Sequence, residues 1–187
     1  MRWQYFPDPL KNALQQECDA VLHFYTRKGH PKPISVIHVA NPDFREKADA
    51  TCTEVASKLT QAYKNILNIF HKTNMQHLRL QPVAGGYISG AFLTTLPTLT
   101  VAALKAALKL LPHETQEALA STNIELCVSY EGEHTLYVSA FRTFIDKTFM
   151  EQTLTAQEQH RQQQQQQQQG SQRHQRPTQQ QRQRLQR

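Results

Sequence analysis

The chain has 187 residues, a formal net charge of +6 and 39% hydrophobic residues, which suits one ordinary domain and leaves little for a second. Residues 151–187 hold 18 glutamines, six arginines and two acids, so this tail carries +4 and residues 1–150 only +2. That balance argues against a strongly basic nucleic-acid-binding face on the folded part, and no apolar run approaches the roughly 20 residues of a membrane-spanning helix.

The opening segment, MRWQYFPDPLKN, lacks the continuous apolar stretch of a signal peptide. After it, Leu10, Leu14, Cys18, Val21, Leu22 and Tyr25 recur at helical spacing, which predicts a first helix with Asp8 as N-cap and Pro9 at its first position. Gly29, Pro31 and Pro33 would end it. ISVIHVA at 34–40 is rich in β-branched residues and bounded by prolines, and reads as a buried strand. From about Glu46 to Lys72 an apolar stripe of Val55, Leu59, Ala62, Tyr63, Ile66, Ile69 and Phe70 predicts a long helix.

HLRLQPV at 77–83 reads as a second strand with Leu78 and Leu80 on one face. A third helix is expected through TVAALKAALKLL, capped by Thr100 and closed by Pro112, with Val101, Leu104, Leu108 and Leu111 as its face. HETQEALA forms a further helical turn. IELCVSY at 124–130 alternates as a third strand, and about 133–149 reads as a final helix. The order α, β, α, β, α, β, α predicts an α/β domain over 1–150 with a mostly parallel sheet flanked by helices in three layers. Three strands are few for such a sheet, and an open edge would favour a homo-oligomer. Residues 151–187, with eight consecutive glutamines at 162–169, read as a disordered low-complexity tail.

Three scattered cysteines without a CxxC pair suggest no disulfide framework, no metal site and a reducing compartment, cytoplasmic or nuclear. Cys127, in mid-strand, is expected to be buried and inert. His38 reads as a packed or strand-end histidine, and Asp43 and Arg45 as surface charges able to pair. No Ser-His-Asp or paired-carboxylate constellation emerges.

The remaining signal is glycine. LRLQPVAGGYISGAF places Gly85, Gly86 and Gly90 directly after the second strand. Glycines there allow positive φ and leave backbone N–H groups exposed, which is how a loop cradles a diphosphate without cationic side chains. Strand carboxyl ends are also where α/β sheets bind ligands. No GxxxxGK[ST] is present, and a plain turn has the same composition.

HVANPDFR at 38–45, the helix AYKNILNIF and PVAGGYISGAF together resemble the C-terminal half of the macro domain, the ADP-ribose-binding module, across roughly residues 34–145. In that family a strand ending like IHxVGPxF precedes a long helix containing AY, and the next strand ends in a loop like PISGGIFxG. The resemblance implies that Gly85, Gly86, Tyr87, Ile88, Ser89 and Gly90 hold the diphosphate and distal ribose, with Tyr130 toward the adenine. Ile88 stands where an aromatic residue is common, and Asn41 where a glycine is usual before Pro42. Nothing like the family's VNAAN segment or a GGG run occurs in the chain, so one wall of the cleft has no counterpart here.

The expectation is therefore a divergent or truncated macro-domain-like protein that binds ADP-ribose, a related nucleotide diphosphate or an ADP-ribosylated protein without catalysis. It implies no cofactor and no membrane. Two alternatives stand beside it: an interaction protein whose Arg/Gln tail binds RNA or acidic partners weakly, and an ADP-ribosylhydrolase completed by strands from elsewhere.

Overall fold

The computed structural model describes residues 6–26, 28–29, 31–129 and 131–145. Tyr130 and the Gln/Arg tail lie outside these residues, as does the end of the final helix expected to reach 149. Contacts divide the chain into Met1–Phe141 and Arg142–Arg187; the fold below is that of the first unit, and in the second the described residues 142–145 are helical.

In chain order the elements are α1 (Asp8–Ala13), β1 (Ala20–Tyr25), β2 (Ile34–Val39), α2 (Cys52–Lys72), β3 (His77–Leu80), a 3₁₀ segment (Gly86–Phe92), α3 (Leu96–Lys109), α4 (His113–Ala120), β4 (Asn123–Leu126) and α5 (131–145). Helices and strands mix, and the strands form two separate pairs. β1 and β2 make an antiparallel hairpin with Ala20 opposite Val39 and Tyr25 opposite Ile34. β3 and β4 are parallel, His77 opposite Asn123 and Leu80 opposite Leu126, joined by the crossover through α3 and α4.

This corrects the expectation of one parallel sheet. It also corrects the first helix. Only Asp8–Ala13 is helical, with Pro7 rather than Asp8 at the N-cap. Cys18 then takes φ +72°, a value that breaks any continuing helix, and AVLHFY leaves as β1. Its aromatic and β-branched side chains suit a pleated surface, and pairing with β2 settles the choice. Gly29, at φ +83°, lies in the hairpin connection, where positive φ is needed.

α2 is the central element. Thr51 and Glu54 form a reciprocal capping box, the Thr51 hydroxyl accepting the Glu54 N–H at 3.2 Å and the Glu54 carboxylate accepting the Thr51 N–H at 2.7 Å. The helix therefore starts six residues later than the apolar stripe alone suggests. Its buried row is Val55, Leu59, Ala62, Tyr63, Ile66, Leu67 and Phe70. α3 packs on it and adds Leu96, Ala103 and Ala107 to the same buried cluster; the small side chains of the two alanines suit close approach of helices.

α3 begins at Leu96, with Pro97 in its first turn, and Thr100 is fully buried inside the helix rather than capping it. Leu104 and Leu108 are half-buried against the core. β4 stops at Leu126, so Cys127 is exposed, contrary to the expected buried thiol. No single helix among the described residues is long and apolar enough to cross a membrane.

Candidate functional site

β2 and β3 each run into a loop, and the two loops meet. The Phe44 N–H donates to the Ile88 carbonyl at 2.9 Å, and the Ala84 N–H approaches Asn41 Oδ1 at 3.4 Å. Phe44 is buried, with its ring edge-on to Phe92 at 5.9 Å between centroids. The segments HVANPDFR and PVAGGYISGAF are thus joined by backbone, amide and aromatic contacts.

α2 fixes the start of the glycine loop. The Tyr63 hydroxyl accepts the Val83 N–H at 3.0 Å from a fully buried ring, and burial holds the phenol far above its usual pKa. Ala84 follows at φ +57° and is also fully buried. A non-glycine residue in this region costs energy and is retained only where its surroundings enforce it.

Gly90 closes the loop. Its φ of +55° with ψ −127° is open to glycine alone, and a Cβ there would sit 2.4 Å from the Phe44 carbonyl oxygen. The backbones of 44–45 and 90 touch because position 90 has no side chain. Gly86, at φ +67°, faces open space instead. The Gly86 and Tyr87 N–H groups open the 3₁₀ segment, ahead of any carbonyl within it that could accept them, and no acceptor among the described residues takes them.

A cavity of about 510 Å³ lies on this loop, lined by Gly86, Tyr87, Ser89 and Gly90 with Arg45, Leu93 and Glu133. Ser89 is buried, and its hydroxyl donates to the Gly86 carbonyl at 2.6 Å, stiffening the turn. Tyr87 is 83% exposed, and the Arg45 guanidinium stands over its ring at 5.2 Å. Gly85 and Ile88 turn the other way: Gly85 lies against Pro82, and Ile88 packs on the core.

Asp43 and Arg45 do pair. The Arg45 Nε lies 2.9 Å from both carboxylate oxygens, and a second guanidinium nitrogen bonds the same group. These bonds hold the Asp43 carboxyl down to about 2 and raise the arginine further above neutrality. The cation beside the cavity is therefore already neutralised by a neighbour, and Glu133 adds a negative group to the rim. Arg45 and Glu133 were not among the residues expected to line the site; the first was legible only as one half of a surface pair, and the second carried no local signal.

His38, on β2, accepts or donates at 2.9 Å to the Tyr25 hydroxyl and packs edge-on against Phe6 at 5.5 Å. It fits the reading of a packed strand histidine. Among the described residues no three His, Cys, Asp or Glu side chains gather as metal ligands.

No family model matches the chain, and no curated protein does. Among solved structures a mutant macrodomain from Oceanobacillus iheyensis matches at 12% identity with a TM-score of 0.48, over 67% of this chain and 60% of the other. The chain thus spans about three fifths of that macrodomain's length. At that score and identity the likeness carries none of the macrodomain's chemistry over to this chain.

Proposed function

We propose that the chain is a divergent macro-domain-like module whose Gly85–Gly90 loop binds the diphosphate of ADP-ribose or a related nucleotide, without catalysing a reaction. The observation that supports this most is the junction of the two loops: the motif pair read in the sequence is held together by the Phe44–Ile88 bond and the close approach of Gly90 to Phe44. Two amides of the loop are free to donate to an anion, Ser89 braces their turn, and Tyr87 offers an aromatic face beside them. Binding is the reading, rather than hydrolysis, because among the described residues no base or nucleophile stands at the cavity with a partner that would activate it. Among the described residues Glu133 is the one carboxylate lining the cavity, and its negative charge opposes that of a diphosphate. Modest affinity follows.

Isothermal titration of the full chain with ADP-ribose tests this. The expected result is a Kd tighter than about 100 µM that is lost in Gly86→Glu, where a carboxylate would stand in the open space at that position. Absence of heat at millimolar ADP-ribose overturns the reading.

A further inference from the structure

The two strand pairs leave a gap between them. Among the described residues β2 is hydrogen-bonded only to β1, and β3 only to β4, so each has one edge to which no described strand pairs. Both edges line a single cavity of about 820 Å³ floored by Ile66 and Phe70 of α2. One end of it is bounded where Asn41, just past β2, meets Ala84, just past β3.

The register identifies the groups on those edges. Asp19 and Ala40 form a bonded pair, the Ala40 N–H donating to the Asp19 carbonyl at 2.8 Å. Bonded and non-bonded pairs alternate in an antiparallel ladder. With Val21 opposite His38 and His23 opposite Val36, the peptide groups of Ser35, Ile37 and Val39 therefore face away from β1, toward the gap. On the other side Asn123 donates to the Gln76 carbonyl and Cys127 to the Leu80 carbonyl, both at 2.8 Å. Residues 76, 78 and 80 thus bond β4, and His77, Arg79 and Gln81 present their peptide groups to the gap. Two facing rows of three residues each stand on either side of one apolar floor.

We propose that this gap receives an extended segment of a partner polypeptide, completing a five-stranded sheet in the order β1, β2, partner, β3, β4. Donors and acceptors repeating every second residue on both sides match an extended chain, which carries both kinds of group on both of its edges. An apolar small molecule would fill the volume and leave both rows unpaired. Ser35–Val39 spans five residues, about 17 Å at strand rise, so five or six inserted residues suffice. Those facing α2 would be apolar, to lie on Ile66 and Phe70, and they would alternate with residues facing the other side. This site is separate from the glycine loop and does not depend on ADP-ribose binding.

Ten-residue peptides displayed on phage and selected on the full chain supply the probe. The expected yield is a peptide with apolar residues at alternate positions, a Kd below about 100 µM, and slowed amide exchange at Ser35, Ile37, Val39, His77, Arg79 and Gln81. N-methylating the peptide at alternate positions should weaken it at least tenfold in either of the two possible frames, because both of its edges are bonded. Ile37→Pro and Arg79→Pro each remove one N–H from the gap without touching an existing ladder bond, and each should also weaken binding at least tenfold. If either variant fails to fold, the methylated peptides decide on the unmodified protein. Tolerance of methylation in one frame, unchanged exchange at those amides, or recovery of no such peptide overturns the proposal. Protection of the same amides in the chain alone also overturns it. Dependence on protein concentration would assign the gap to a second copy, and loss on deleting 151–187 would assign it to the chain's own tail.

Discussion

The loops beyond β2 and β3 are closed onto each other, whereas the strands that lead to them are held apart. At the loops, Phe44 bonds Ile88, Gly90 touches the Phe44 backbone, and Tyr63 anchors Val83. At the strands, no ladder links β2 to β3, and a cavity lies between them. In an ordinary α/β sheet, strand pairing sets where the loops emerge. Here the loops are positioned by α2 beneath them and by contacts between the loops themselves. Site geometry and sheet continuity are therefore separable in this chain, and substitutions should affect them unequally.

The largest effect is expected at Gly90→Ala, which combines a backbone conformation closed to alanine with a Cβ inside the Phe44 carbonyl contact. A loss of about 3 kcal/mol or more follows from strain and overpacking together. It should be measurable as a lowered urea midpoint with loss of Phe44 amide protection. Unchanged protection would mean that the loops are not joined as described. Tyr63→Phe comes next. It leaves the Val83 N–H buried without its acceptor, at about 1–3 kcal/mol, and should loosen the start of the glycine loop while the α2 amides stay protected.

Thr51→Ala removes one half of the capping box and should cost about 1 kcal/mol. Because it acts on the far end of α2 from Tyr63, it should lower the midpoint without altering ligand affinity; a parallel loss of affinity would tie the site to the helix as a whole. The smallest effect concerns His38. Burial, and then the neighbouring His23, hold its pKa below the ordinary value, so the folded chain resists the proton that the unfolded chain accepts near about 6.5. Its contribution to stability is intact above that pH and is lost as pH falls toward the folded pKa. His38→Gln should flatten the fall in urea midpoint between pH 7 and 5, and an unchanged slope would place the acid sensitivity elsewhere.

The readable parts of this fold were those with one dominant local signal. ISVIHV was rich in β-branched residues and lay between prolines, and the α2 stripe ran long enough for its period to be unambiguous. β1 was concealed because Leu10, Leu14, Cys18, Val21 and Leu22 keep helical spacing by coincidence across a short helix, a turn at Cys18 and a strand. Only pairing with β2, a contact between distant residues, separates them. Pro97 marked the start of α3 more faithfully than Thr100, since proline suits the first helical turn and a threonine can equally be buried mid-helix. Cys127 was expected to be buried because it was placed in mid-strand, whereas β4 stops at Leu126 and leaves it exposed.

The candidate site was legible in part. The glycines carried a physical signal, and the pairing of their loop with 41–45 came from the motif resemblance. The division of the loop did not, with Gly86, Tyr87, Ser89 and Gly90 on the cavity and Gly85 and Ile88 turned away. That depends on where Phe44 and Pro82 press, which no local pattern reveals. Glu133, arriving from α5, was likewise invisible, and Tyr130 lies outside the described residues.

The most direct test of the loop account is a map of amide chemical shifts in the full chain titrated with ADP-ribose. The account predicts the largest changes at Gly86, Tyr87 and Gly90, with the Phe44 amide following through its bond to Ile88, while the β1–β2 hairpin stays still. Changes centred elsewhere, or none at millimolar ligand, would contradict it.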